Sequence, residues 1–303
     1  MGQPAPPYGP QYGHGYSFPH PPPPDPPELP AAATAYPRWP WWYGLLAMLI
    51  GVFATAIVVA LGASVVAATG VEDVEDANGF LQIATVAQQA IFVTVAVLLA
   101  ARVMPPRAWH FGLRRTRLWP TVGWAAAGLG AYWLFAIAYS AIVQPDAEQE
   151  TLESLGTDES TLWLVCAAVL VIGLAPLAEE LFFRGFFYRA LRTRLPVIVA
   201  ALVDGAIFGA IHFENADMAE ILPVLAILGF VFCLVYERTG SLFATIGLHA
   251  LNNFIAFGVE TEEWGVAGLV GGLVLLACFV VPRFLPARAA VPVSAAAPVP
   301  GRT

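Results

Sequence analysis

The chain has 303 residues, 58% of them hydrophobic and 12% charged, with a mean hydropathy of +0.69. A soluble domain carries about 25% charged residues, so this composition excludes an ordinary water-facing globule and points to lipid. The formal net charge is −8, and no basic patch interleaved with aromatics is present, which removes the footprint of a nucleic-acid binder.

Residues 1–40 are rich in Pro, Gly, Tyr and His, including His20-Pro21-Pro22-Pro23-Pro24, and read as a disordered or polyproline-like cytoplasmic tail. Eight hydrophobic spans follow, near 41–68, 80–101, 119–144, 161–183, 196–213, 219–236, 241–258 and 264–285. Each is close to the length that crosses a hydrocarbon core of ~30 Å, and the fifth to seventh are short and closely set. Residues 286–303 form a second disordered tail, rich in Ala, Pro and Val. The predicted fold class is therefore all-α, a multi-pass transmembrane helical bundle occupying 41–285.

All 14 basic residues are arginine. Loops 102–118, 184–195 and 237–240 carry Arg and alternate with loops 69–79, 145–160, 214–220 and 259–263, which carry none and hold 16 of the 22 acidic residues. Positive-inside bias then places both termini in the cytoplasm. The expected location is a cell membrane, and the Arg-for-Lys usage is taken as a bacterial coding bias, hence a bacterial plasma membrane. Cys166, Cys233 and Cys278 fall in separate apolar segments with no CxxC spacing and read as small buried hydrophobes.

Ionisable side chains at membrane depth are expensive and mark function. The fourth span contains Glu179 and Glu180, three and four residues after Pro176, a possible kink site. Adjacent helix positions point about 100° apart, so the two carboxylates do not serve one site equally. Glu180 and Arg184 have the i, i+4 spacing of a salt bridge. Glu179 shares a face with Phe182, Phe183 and Phe186, an apolar setting that suits a general base. A purely structural Glu–Arg network fits Glu180 and Arg184 but leaves Glu179 without a role. His212 in the fifth span, taken alone, reads as a packing histidine. His249 carries Asn252 and Asn253 on its helix face, an arrangement that also serves as helix–helix glue. The combination of the Glu pair with the two in-span histidines is what favours chemistry. A hairpin turning near Arg194-Leu195-Pro196 sets Glu179 and His212 about 16 residues from the turn, at matching levels. Asp204, Gln88 and Gln89 are weaker in-span candidates, and His14, His20 and His110 are assigned nothing.

The series E-E-x-x-x-R (Glu179, Glu180, Arg184), F-x-x-x-H (Phe208, His212) and H-x-x-x-N (His249, Asn253) resembles the CPBP family, the CAAX prenyl proteases and bacteriocin-processing or Abi membrane proteins. The resemblance covers about 161–258, the expected protease core, and leaves out the Pro-rich tail. It implies intramembrane endoproteolysis in a cavity open to the cytosol. By position, Glu179 is the base that activates water and His212 helps to hold it. His249 and Asn253 stabilise the oxyanion, and Glu180, Arg184 and Phe208 support the site. The family carries both a glutamate and a metal description. No cofactor is required by the first, while zinc on Glu179, His212 and His249 is the second, although no H-E-x-x-H is present.

The implied partners are the lipid bilayer and a peptide or protein substrate with a membrane-associated segment, such as a leader peptide, a bacteriocin or a membrane-protein tail. Oligomeric state is not readable. Two other classes fit parts of the pattern: a non-catalytic immunity or scaffold protein that keeps the cavity, and a proton-coupled transporter, which the lack of a visible internal repeat disfavours.

Overall fold

The computed structural model describes residues 37–70, 79–145, 151–213 and 217–285. The tails expected at 1–36 and 286–303 lie outside the described residues. Within them the chain is all-α, and no strand occurs. Eight principal helices follow in order: α1 Trp42–Ala68, α2 Phe80–Ala101, α3 Leu118–Val143, α4 Thr161–Arg192, α5 Val197–Ala210, α6 Leu222–Thr239, α7 Leu242–Thr261 and α8 Trp264–Phe284. Seven are long and apolar enough to cross a membrane by length and composition, and α5, with 14 residues, is shorter. Large apolar side chains face outward on the peripheral helices, for example Leu61 on α1, Leu134 and Ile137 on α3 and Leu269 on α8. Such outward apolarity is costly in water and favourable in lipid.

Two spans differ from the sequence expectation, each for a local reason. The fourth runs on to Arg192 instead of stopping near 183, and it contains two π segments, Val169–Leu174 and Phe183–Phe187. Pro176 has no N–H and its ring crowds the carbonyl four residues back. The wide i→i+5 turn ahead of it, where Ala175 N–H reaches Leu170 O, accommodates the ring within a continuous helix. The fifth span stops at Ala210 instead of 213. There His212 N–H bonds to Gly209 O in a tight turn, while the His212 ring takes the Phe208 carbonyl that a helical N–H would have used.

The α5–α6 pair is held at very close range. A Cβ on Gly205 would lie 2.5 Å from Ala226 O and 2.7 Å from Phe230 N, and one on Gly229 would lie 2.9 Å from Gly205 Cα. Small residues thus let two backbones touch where lipid supplies no hydrophobic drive between helices. On α4, Phe182, Phe183, Phe186 and Phe187 are buried in the main core with Phe208 and Tyr236. This stretch is apolar all round apart from its glutamates and arginines, which suits a helix surrounded by other helices.

The Arg-bearing connections meet at one end of the bundle. Arg114 Nε donates to Gly240 O at 2.6 Å, and Leu242 N donates to Gly112 O at 2.9 Å. Gly112 and Gly240 have φ of +91° and +61°, and a side chain on either would strike Tyr236 or Arg114. At the same end Arg192 makes a two-pronged contact with Glu237, at 2.9 and 3.1 Å, which Tyr188 joins at 3.0 Å. Elsewhere, Gln82 Nε2 donates to Leu155 O at 2.7 Å, and among the described acidic residues Asp158, Glu260 and Glu263 line one hollow.

Candidate active site

Five titratable side chains form a row of alternating charge type through the centre of the bundle. Asp204 Oδ1 on α5 lies 3.6 Å from Arg184 Nε, and Arg184 Nη1 donates to Glu180 Oε1 at 2.8 Å. Glu180 Oε1 lies 3.1 Å from His249 Nδ1, and His249 Nε2 lies 3.8 Å from Glu179 Oε2. A carboxylate only accepts, so Nδ1 is the donor and its proton is directed at Glu180. Asp204, Arg184 and Glu180 have no solvent exposure. His249 is 4% exposed and Glu179 15%, so the row opens at Glu179.

Helix geometry explains how neighbouring glutamates reach one imidazole. They point about 100° apart around α4. His249, arriving on α7, sits between them with one ring nitrogen toward each. Glu180 faces Arg184 and Glu179 does not, but both carboxylates face His249. Glu179 Oε1 accepts from Gln89 Nε2 of α2 at 3.1 Å, and its Oε2 is buried with no hydrogen-bond partner.

Arg184 is held by more than charge. Its Nη2 donates to Gly229 O at 2.9 Å, a carbonyl on α6. Its guanidinium lies 4.6 Å from the Phe208 ring centre and 5.1 Å from that of Phe232, cation–π distances at which desolvated contacts are strong. Phe208 also lies against both histidine rings, with centroids 5.0 Å from His212 and 5.8 Å from His249. Cys233 is not a simple buried hydrophobe: its Sγ donates to Asp204 Oδ1 at 3.0 Å.

His212 and Asn253 stand less centrally than the sequence implies. His212 gives Nδ1–H to Phe208 O at 2.7 Å, a tautomer set by the carbonyl, which leaves Nε2 as an acceptor. Among the described residues it makes no hydrogen bond or ion pair with Glu179, so the level matching of the hairpin does not become contact. Asn253 Nδ2 donates to Val171 O at 2.9 Å, inside the first π segment of α4, while Asn252 Nδ2 lies 3.5 Å from Asn253 Oδ1. The irregular turn thus offers a carbonyl that positions Asn253. Two members of the site were only weak sequence candidates, Gln89 and Asp204. Their one signal was polarity inside an apolar run.

The zinc ligand set of Glu179, His212 and His249 is not gathered into one group. Among the described residues, no cluster of three or more His, Cys, Asp or Glu side chains is arranged to hold a metal ion. His249 directs Nδ1 at Glu180, and His212 directs Nδ1 at the Phe208 carbonyl.

The chain is 31% identical over 196 residues to the protein YyaK of Bacillus subtilis strain 168, covering 60% of this chain and 62% of YyaK. It is 26% identical over 179 residues to YdiL of the same organism, whose name proposes a membrane peptidase, covering 55% of this chain and 68% of YdiL. The chain thus spans somewhat under two thirds of the length of the first of these relatives. No solved structure matches. Residues 161–255, which carry Glu179, Glu180, Arg184, Phe208, His212, His249 and Asn253, match the family model described as type II CAAX prenyl endopeptidase Rce1-like.

Proposed function

We propose that the protein is an intramembrane endopeptidase in which Glu179 activates water. The observation that carries this reading is the open end of the charged row: Glu179 is its most exposed member, and Glu179 Oε2 has no partner other than the nearby His249 Nε2. Glu179 takes a proton from water as the oxygen bonds to the scissile carbonyl carbon. The carbonyl oxygen becomes an oxyanion, which His249 and Asn253 stabilise as preorganised donors. With Nδ1–H directed at Glu180, donation from Nε2 requires the imidazolium, whose charge then lies between the two glutamates. Collapse of the intermediate breaks the C–N bond, and the proton on Glu179 passes to the leaving amine. His212, with Nε2 free to accept, helps to orient the water.

In this reading the Arg-rich end faces the cytoplasm of a bacterial plasma membrane, with both termini on that side. The substrate is a peptide with a membrane-associated segment, a leader or a membrane-protein tail. The test is cleavage of a membrane-peptide library by purified protein, comparing wild type, Glu179→Gln and chelator-treated wild type. Loss of a general base lowers rate by about 10²–10⁴-fold. The expected result is that loss in Glu179→Gln, with an unchanged unfolding profile and no effect of chelator. Full cleavage by Glu179→Gln would falsify the base assignment. Loss on chelation, restored by zinc, would replace it with the metal mechanism.

A further inference from the structure

Away from the charged row, a groove of about 1000 Å³ runs between α3, α7 and α8. It is at the upper end of ligand-cavity sizes, and its two ends differ in chemistry. One end carries Arg115, Arg117 and Arg283, all exposed, with the hydroxyls of Thr121 and Ser241 beside them. The rest is walled by apolar side chains such as Leu129, Leu251 and Leu275, and among the described residues no Asp or Glu lines it. The Arg283 guanidinium sits over the Phe279 ring at 3.9 Å. The groove starts at the beginnings of α3 and α7, so two helix N-termini, with their partial positive charge, lie at the same end as the arginines.

Depth identifies the occupant. Along α3 the lining runs from Leu118 to Leu129, eleven residues or roughly 16 Å of helix. Half of a ~30 Å hydrocarbon core is about 15 Å, one leaflet. A molecule that fits needs an apolar body one leaflet long and an anionic head level with the arginines. A soluble anion leaves the apolar wall unfilled, and a neutral lipid leaves Arg115 and Arg283 without a counter-charge among the described residues of the groove. Basic pockets between transmembrane helices recognise acidic lipid headgroups for this reason. We propose that the α3–α7–α8 groove binds one anionic glycerophospholipid from the Arg-rich leaflet. The site lies on a different face of α7 from the row of carboxylates, and its occupancy does not depend on peptidase activity.

The test uses full-length protein, purified in detergent and delipidated. Thermal unfolding and native mass spectrometry are followed as phosphatidylglycerol, or phosphatidylcholine with the same chains, is added back. Wild type is expected to retain one phosphatidylglycerol and to be stabilised by it more than by phosphatidylcholine. Near a membrane surface each arginine is worth ~5-fold in anionic-lipid affinity, so Arg115→Gln/Arg283→Gln should lose about 30-fold for phosphatidylglycerol. The charge-preserving pair Arg115→Lys/Arg283→Lys should keep most of that affinity. Ala126→Phe, at an exposed groove position, should displace either lipid. Equal stabilisation by the two lipids, an unchanged preference in the Gln pair, or stabilisation by inorganic phosphate alone would overturn the proposal. So would protection that rises with protein concentration in place of lipid, since a second copy would then fill the groove.

Discussion

Replacing Glu180 by Gln neutralises a side chain with no solvent exposure, whose Oε1 meets Arg184 Nη1 at 2.8 Å and His249 Nδ1 at 3.1 Å. Removing one partner of a buried ion pair costs about 3–5 kcal/mol, because the remaining charge is stranded. Here Asp204, 3.6 Å from Arg184 Nε, keeps one carboxylate against the guanidinium, which puts the loss near ~3 kcal/mol. Glu179→Gln behaves differently. Its amide retains a carbonyl oxygen for Gln89 Nε2, and its second oxygen has no hydrogen bond to lose, so the cost stays within about 1 kcal/mol. The assay is denaturant unfolding of both variants in the same detergent, followed by far-UV circular dichroism. A double-mutant cycle of Glu180→Gln with Arg184→Met isolates the pair from the rest of the row. Equal destabilisation by the two Gln variants, or a Glu180→Gln protein as stable as wild type, would refute the division of labour between the glutamates.

Gly205→Ala puts a Cβ against Ala226 O and the Phe230 backbone, atoms that no rotamer change moves aside. The expected loss is at or above the upper end of the ~1–3 kcal/mol typical of overpacking, read as a lowered unfolding midpoint. An unchanged midpoint would show that α5 and α6 separate freely. His110, in the 102–117 connection, has its pKa lowered from 6.5 to about 4 by burial and then by Arg189 and Arg107. The folded protein therefore declines a proton that the unfolded chain accepts. Its contribution to stability is intact above pH 6.5 and is lost as pH falls from 6.5 toward about 4. His110→Gln should flatten the slope of unfolding midpoint against pH in that window, and a slope equal to wild type would exclude His110 as its source.

The spans were legible because lipid imposes a length and an apolarity on every helix that crosses it. Within the site, the Glu180–Arg184 pair could be read from i, i+4 spacing alone, since both partners share one helix. The bridge from His249 to both carboxylates could not, because it depends on where α7 docks on α4. The π segments of α4 were equally hidden. Pro176 announces a disturbance, but only packing decides whether the helix kinks, breaks or widens. His212 shows the limit of counting residues. Its level along the helix was calculable, but its ring turns back to Phe208 O and ends α5 early. Gln89 and Asp204 carried the same signal as any polar residue in an apolar run, so their partners, Glu179 and Arg184, became visible only in three dimensions.

The alternating row also explains why so many charges are tolerated in the interior. Asp204, Arg184, Glu180, His249 and Glu179 follow one another at 3.6, 2.8, 3.1 and 3.8 Å, so each internal member has an opposite or protonatable neighbour on both sides. Its two ends differ. Asp204 is sealed and takes the Cys233 thiol as a further donor, whereas Glu179 is partly exposed and has one oxygen unused. In the mechanism proposed above, water attack at a peptide carbonyl would move negative charge from Glu179 to an oxyanion close to His249, a displacement along the row rather than a creation of charge. The imidazole that receives it is already aimed by Glu180, and Glu180 is in turn fixed by Arg184. In that mechanism the buried half of the row would be an electrostatic backing that spares the site reorganisation at the moment of reaction. If that is its function, Asp204→Asn, remote from the reacting atoms, should lower the cleavage rate more than KM, with the loss growing when Arg184 is also replaced by Lys. A change confined to stability would make the row a structural device only.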